Sequence, residues 1–266
     1  MIIQNVLWIS LGLLLVASIV RKRKFSFLIG ALGWMFFAIH WALEPQHYLD
    51  IGDVFNAVLT FLVSIFCIFI AFFNIQAYSG RKLDRELDVL HTITFATVIG
   101  GTFYFLFSEI PILNSLLIEA VAGHTVFWLN FLGVPAVQYQ RYFIGIYPDI
   151  PLVKMVLACT GIESMALFAG VTLGIGASIG RKFKAFVVSV PVIYALNIFR
   201  NMFVVVAIGY HWFGMDSYHI AHNVLAKIGS TIALFLIAYA VIRILPELTD
   251  VITGVVQMFR DIRGVS

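Results

Sequence analysis

The chain has 266 residues, of which 61% are hydrophobic and only 12% are charged. Soluble domains carry about 25% charge, and a mean hydropathy of +0.99 lies far outside their range. A net charge of +3 says little by itself, but the composition excludes a soluble fold and makes this an integral membrane protein. Alternating helix and strand patterns are absent, and so are the roughly ten-residue dyad segments of an outer-membrane barrel. The expected class is all-α, a polytopic transmembrane helical bundle.

A spanning helix needs about 20 apolar residues. Seven segments qualify, at about 1–20, 25–43, 53–77, 89–108, 155–179, 185–208 and 224–245. The first lacks a basic leader and is followed, not preceded, by RKRK, so it does not read as a cleaved signal peptide. Cys67 lies in SIFCIFIAFF and reads as a small hydrophobe. It is far from the second cysteine, Cys159, so no disulfide framework is expected. The stretch 109–154 is apolar but broken by Gly, Pro, His and Glu. A full crossing there would put RKFK (181–184) on the outer side, so a re-entrant or interfacial outer cap is expected. The tail from Pro246 has Leu248, Val251, Ile252, Val255, Val256, Phe259 and Ile262 at helical spacing, with Arg260, Asp261 and Arg263 opposite. It reads as a cytoplasmic interfacial helix. No repeat or linker appears, so 1–266 is expected to be one domain, with residues 246–266 as its tail.

Basic residues in short loops set orientation. With the N-terminus outside, Arg21, Lys22, Arg23, Lys24, Arg81, Lys82, Arg85, Arg181, Lys182, Lys184, Arg243, Arg260 and Arg263 all fall inside. Only Arg141 and Lys154 fall outside. The C-terminus is then cytoplasmic.

Ionisable groups within spans are expensive and are functional candidates. Cys159 and Glu163 stand in LACTGIES, at the outer part of the fifth expected span. Arg200 stands in NIFRN, between Asn197 and Asn201, in the outer half of the sixth. His219, His222, Asn223 and Lys227 lie at the mouth of the seventh. Three segments thus converge at one depth. A thiol, a permanent cation and an imidazole are the parts of cysteine acyl transfer: the cation lowers the thiol pKa and the histidine moves the proton. Asn197 shares a face with Arg200 and is placed to orient its guanidinium. Glu163 reads as the counter-ion of Arg200 or Lys227. A transporter with a Glu163, Arg200 and histidine relay is the main alternative. A zinc site on His219, His222 and His211 is another, weakened by the missing Glu of HExxH.

ACTGIES, NIFRN and YHIAHN together resemble the Cys, Arg and His blocks of the exosortase/archaeosortase family. The resemblance covers about residues 150–245, the expected catalytic part, and ACTGI with HNVLAKIGS stands nearer the archaeosortases than the bacterial exosortases. It implies a membrane cysteine transpeptidase. Its partners would be secreted surface proteins, such as S-layer glycoproteins, with a C-terminal sorting signal: a Pro-Gly-Phe motif, a transmembrane helix and a basic end. Cleavage would pass through a thioester, and the new C-terminus would go to a membrane lipid. Carried over by position, Cys159 matches the nucleophile and Arg200 the family arginine. The third position falls first to His222, then Lys227, then His219. A cysteine protease that releases its product to water remains the alternative within this chemistry. No nucleotide motif or metal cluster is visible, so no cofactor and no nucleic-acid partner are expected.

Overall fold

The computed structural model describes residues 2–20, 24–50, 52, 54–80, 86–147 and 149–262. Arg21, Lys22, Arg23, Arg81, Lys82, Arg85 and Arg263, on which much of the expected orientation rests, lie outside them. The element order is α1 (Ile2–Ile19), α2 (Lys24–Asp50), α3 (Val54–Tyr78), α4 (Glu86–Glu109), α5 (Pro111–Phe131), β1 (Ala136–Tyr139), β2 (Phe143–Ile146), β3 (Asp149–Lys154), α6 (Ile162–Gly174), α7 (Ile179–Gly209), α8 (Ala226–Ile244) and α9 (Glu247–Ile262). The class expected from composition is the one observed. Among the described residues, six helices are long and apolar enough to cross a membrane: Lys24–Asp50, Asn56–Tyr78, Leu87–Glu109, Pro111–Phe131, Ile179–Gly209 and His219–Ile244. The protein is a multi-pass membrane protein.

The chain forms two compact units. The first comprises Met1–Thr102, Gly174–Gly176 and Glu247–Ser266. Here α2 packs between α1 and α3. Lipid tails are as apolar as leucine, so membrane helices associate through close packing and interhelical hydrogen bonds. Gly33 supplies the first: a Cβ there would stand 2.8 Å from Leu14 Cδ2 and 3.1 Å from the Leu14 backbone nitrogen. Ser64 supplies the second, its hydroxyl donating to the Ala38 carbonyl at 3.0 Å. Trp34 is buried and donates its indole N–H to Thr94 Oγ1 at 3.0 Å. Cys67 is buried among apolar neighbours, as expected of a small hydrophobe. The tail forms α9, as its spacing indicates. Met258 is fully buried, and Phe259 stacks on Phe69 with ring centroids 3.9 Å apart.

The second unit comprises Phe103–Leu173 and Ala177–Pro246. It departs from the sequence-based expectation in two places. The stretch 109–154 is regular, not irregular: α5 runs unbroken for 21 residues, and a three-stranded antiparallel sheet in the order β1-β2-β3 follows. Pro111 begins α5, where its missing N–H costs nothing. The apparent breakers inside it are accommodated. His124 Nδ1 hydrogen-bonds the Tyr194 hydroxyl of α7 at 2.5 Å. Gly133, in the left-handed region at φ +81, ends the turn after the helix. The strands escaped notice because β1 and β2 have only four residues each and are mostly apolar or aromatic. Their turn also lacks glycine: Gln140 and Arg141 take positive φ, at 42 and 67. The sheet buries Ala136, Ile144 and Ile146 against Ile118, Val121 and Leu129 of α5 and Ile198, Met202 and Val205 of α7.

The second departure concerns the expected fifth span, 155–179. It consists of one 3-10 turn, Leu157–Thr160, and then α6, which has only 13 residues. At 1.5 Å per residue α6 is about 20 Å long, against a hydrocarbon core of about 30 Å. The break is made by Gly161 at φ +73.

Candidate active site

The Cys159 turn is built by its own sequence. Val156 is extended, and the Cys159 N–H donates back to the Val156 carbonyl at 2.8 Å. The Thr160 hydroxyl donates to the Leu157 carbonyl at 2.7 Å. Gly161 then takes a left-handed conformation that costs any L side chain about 1–2 kcal/mol. Space also demands glycine: a Cβ there would meet Asn197 Cγ at 3.1 Å. The missing side chain lets Asn197 reach over residue 161 to the Cys159 carbonyl.

Asn197 and Asn201 stand one turn apart on α7 and therefore share a face. Both donate side-chain N–H groups to the Cys159 carbonyl, at 2.7 Å and 2.9 Å. The other end of the buried Asn201 amide, Oδ1, accepts from a terminal nitrogen of Arg200 at 3.4 Å. The second terminal nitrogen of Arg200 meets His222 Nε2, also at 3.4 Å.

That contact fixes the proton positions around His222. Arginine only donates, so Nε2 must be the acceptor and Nδ1 must carry the proton. Nδ1–H then donates to Asn223 Oδ1 at 3.0 Å, and the Asn223 amide nitrogen donates to His219 Nδ1 at 3.4 Å. One chain of hydrogen bonds thus runs from the Cys159 backbone through Asn201, Arg200, His222 and Asn223 to His219. Tyr218 stacks on the His222 ring, with centroids 5.1 Å apart and planes 7° from parallel. The whole segment His219–Leu225 winds as a π-turn entering α8. Such turns are rare and recur at functional sites.

Beside Arg200 lies a cavity of about 350 Å³ between α6, α7 and α8. Ser164, Asn197, Arg200 and Ser230 are its polar lining; Phe203 and Leu234 are typical of its apolar walls.

The transmembrane exosortase family matches residues 4–242 of this chain. The chain belongs to that family. It is 28% identical to archaeosortase A of Haloferax volcanii over 287 residues, covering 94% of this chain and 92% of that protein. It is also 28% identical to archaeosortase A of Natronomonas pharaonis over 247 residues, covering 82% of this chain and 76% of that protein. No solved structure matches. At the level of the family, this exosortase relative is a membrane sorting transpeptidase and processes peptides.

The candidate site gathers most of the residues singled out in the sequence, but Asn197 and Glu163 stand in other contacts than expected. Asn197 was expected to orient the guanidinium; it holds the Cys159 carbonyl instead, and Asn201 is the residue that meets Arg200. Glu163 was expected to pair with a cation. The structure gives it no such pair: Arg200 meets Asn201 and His222 instead, and Arg141 pairs with Glu119 at 3.9 Å between exposed side chains. Glu163 stands in the first turn of α6, and desolvation by burial raises its carboxyl above the ordinary carboxylate range. His222, not Lys227, reaches Arg200. Lys227 is exposed, and its backbone carbonyl accepts from Thr231. Among the described residues no three His, Cys, Asp or Glu side chains group to hold a metal. His219 and His222 each hold Asn223 instead of sharing an ion. Tyr218 and Gly161 were missed. A ring four residues from a histidine is too common a spacing to signal a stack, and the left-handed turn is invisible without the chain it passes under.

Proposed function

We propose that this exosortase-family protein is a cysteine transpeptidase of the archaeosortase kind. It cleaves the C-terminal sorting signal of surface proteins, a Pro-Gly-Phe motif followed by a transmembrane helix and a basic end, and transfers the new C-terminus to a membrane lipid. The observation that carries the proposal is the hydrogen-bonded chain joining the Cys159 turn, through Asn201, to Arg200 and His222.

In the first half-reaction the Cys159 thiol gives its proton to His222, and sulfur attacks the scissile carbonyl. A C–S bond forms, the C–N bond breaks, and His222 returns the proton to the leaving amine. In the second half the lipid nucleophile gives its proton to His222 and attacks the thioester. The C–S bond breaks, and the proton returns to sulfur. Arg200 does not act as an acid, because it stays protonated; it stabilises the thiolate and the carbonyl oxygen as each becomes negative. The two roles are coupled. Protonation at His222 Nε2 removes the acceptor that Arg200 now holds, which frees the guanidinium for the new negative charge.

The site opens toward the outer face in this proposal, with the N-terminus outside and the C-terminus cytoplasmic. Arg181, Lys182 and Lys184 stand at the start of α7, and Arg200 stands toward its other end.

The test is reconstitution in liposomes with a client bearing the signal, followed by mass spectrometry of its C-terminus. A lipid adduct is expected, together with no processing by Cys159→Ala at normal insertion. A free carboxylate would replace transfer with hydrolysis. Unchanged processing by Cys159→Ala would remove the cysteine mechanism.

A further inference from the structure

The edges of the three-stranded sheet are β1 and β3, and they are finished differently. In an antiparallel ladder, alternate residues turn their N–H and C=O toward the partner strand, and the residues between turn them away. The Tyr147 N–H donates to the Pro135 carbonyl at 2.9 Å, and Ala136 lies opposite Ile146, so Ala136 turns its groups away from β2. Both are taken. The Ala136 N–H donates to the Val134 carbonyl at 2.8 Å. Its carbonyl accepts from the Asn130 side chain of α5, also at 2.8 Å.

The β3 edge has no such cover. The Met155 N–H donates to the Tyr142 carbonyl at 2.6 Å, and Lys154 lies opposite Phe143. Met155 therefore faces β2, while Lys154 and Val156 turn their N–H groups outward. Among the described residues no hydrogen bond outside the ladder involves either N–H. Both residues are exposed, whereas Val153 packs inward on the core shared with α7. An open edge is a template for another strand, and an exposed lysine on it deters non-specific pairing. This edge also leads into the candidate site. Val156 continues extended, at φ −128 and ψ 170, and its carbonyl accepts the Cys159 N–H at 2.8 Å. The edge and the thiol-bearing turn are one piece of backbone.

A peptide bond offered to a nucleophile must leave its own helix or hairpin, and its extended N–H and C=O groups then need partners. A free strand edge supplies them. Chain direction selects the arrangement. In the orientation proposed above, β3, the Cys159 turn and α6 follow one another from the outer face inward. A client's segment, its cleavage point and its transmembrane helix follow in the same order. We infer that the free edge of β3 is the docking site for the client: the extended segment ahead of the client's transmembrane helix adds to it as a parallel strand, and main-chain hydrogen bonds at Lys154 and Val156 set the scissile carbonyl at Cys159. This docking rests on the transpeptidase reading. Pairing of this kind holds the backbone and not particular side chains, so one edge serves clients of different sequence.

The probe is a synthetic client carrying the sorting signal, with the backbone amides ahead of its transmembrane helix N-methylated one at a time. Binding is read by fluorescence anisotropy on the full chain in lipid nanodiscs, carrying Cys159→Ala so that no turnover intervenes. Successive residues of a paired strand alternate in direction, so methylation is expected to weaken binding about fivefold or more at every second position and less than about twofold between them. Lys154→Pro removes an outward N–H from an edge strand, where proline is tolerated. It is expected to bind the unmethylated client about fivefold more weakly than Lys154→Ala, which keeps the N–H, with equal thermal transitions in the two. Binding without alternation along the client, or equal binding by the two Lys154 variants, would overturn the docking edge and leave the cysteine mechanism standing. Alternation together with normal processing by Cys159→Ala would sink the mechanism and leave the edge.

Discussion

Asn201 on α7 holds the backbone carbonyl of Cys159 across 42 residues of sequence, with its amide nitrogen 2.9 Å from that oxygen. Its own oxygen holds Arg200. One buried side chain therefore sets the distance between the thiol-bearing turn and the cation.

Removing that link should weaken both stability and chemistry. Asn201→Ala leaves a buried cavity and takes one donor from the Cys159 carbonyl, a loss of about 1–3 kcal/mol. Asn201→Asp keeps the size and pairs with Arg200 but cannot donate to the carbonyl. Client processing should fall about tenfold or more in both, whereas the thermal transition should fall further in the alanine variant. Wild-type processing by Asn201→Asp would show that the carbonyl contact does not matter.

Gly161→Ala tests the passage of Asn197 over the turn. The left-handed backbone costs about 1–2 kcal/mol with a side chain present, and the Cβ at 3.1 Å from Asn197 pushes that amide away. The variant should insert normally, unfold at a lower temperature and process clients poorly. Gly176→Ala is a matched control, because a Cβ there meets nothing within 4 Å.

The third position of the proposed catalytic set can be assigned by comparing two variants. His222→Gln removes the acceptor of Arg200 and the proton carrier together, and should reduce processing about 100-fold or more. Lys227→Ala should stay within about twofold of wild type, since its side chain takes no part in the network. The reverse order in a client-processing assay would move the role to Lys227. Asn223→Ala should fall between them, because it frees the His222 tautomer without removing the ring.

Glu163→Gln should be nearly silent. The carboxyl pairs with no cation among the described residues, and burial favours its neutral form, which the Gln amide resembles in shape. Thermal unfolding and processing should both remain close to wild type. A large loss of processing would mean that Glu163 meets the substrate.

Five of the spans were legible along the chain because each is a long apolar run that only a helix can satisfy in lipid. The amphipathic tail was legible for a related reason: its apolar residues recur at helical spacing. The sheet was not, since four-residue strands are too short to establish a period of two. The fifth expected span failed because hydropathy does not register a single left-handed glycine. LACTGIES, NIFRN and YHIAHN were visible as polar intrusions in oily segments, and their convergence is carried by the hydrogen bonds from the Cys159 carbonyl through Asn201 and Arg200 to His222.

Composition and the order of apolar segments therefore settled that this chain lives in a membrane, as helices, with Cys159, Arg200 and His222 at one end of their segments. Those properties depend on solvent preference and on sequence position alone. Which polar group meets which was decided only by tertiary packing. Asn197 takes the Cys159 carbonyl instead of Arg200, Glu163 pairs with no cation, and His222 reaches the guanidinium that Lys227 does not. A hydrogen bond needs about 3 Å and an angle. Spacing along a helix gives a face, and only the crossing of α7 over the Cys159 turn and the widened turn into α8 supplies the rest.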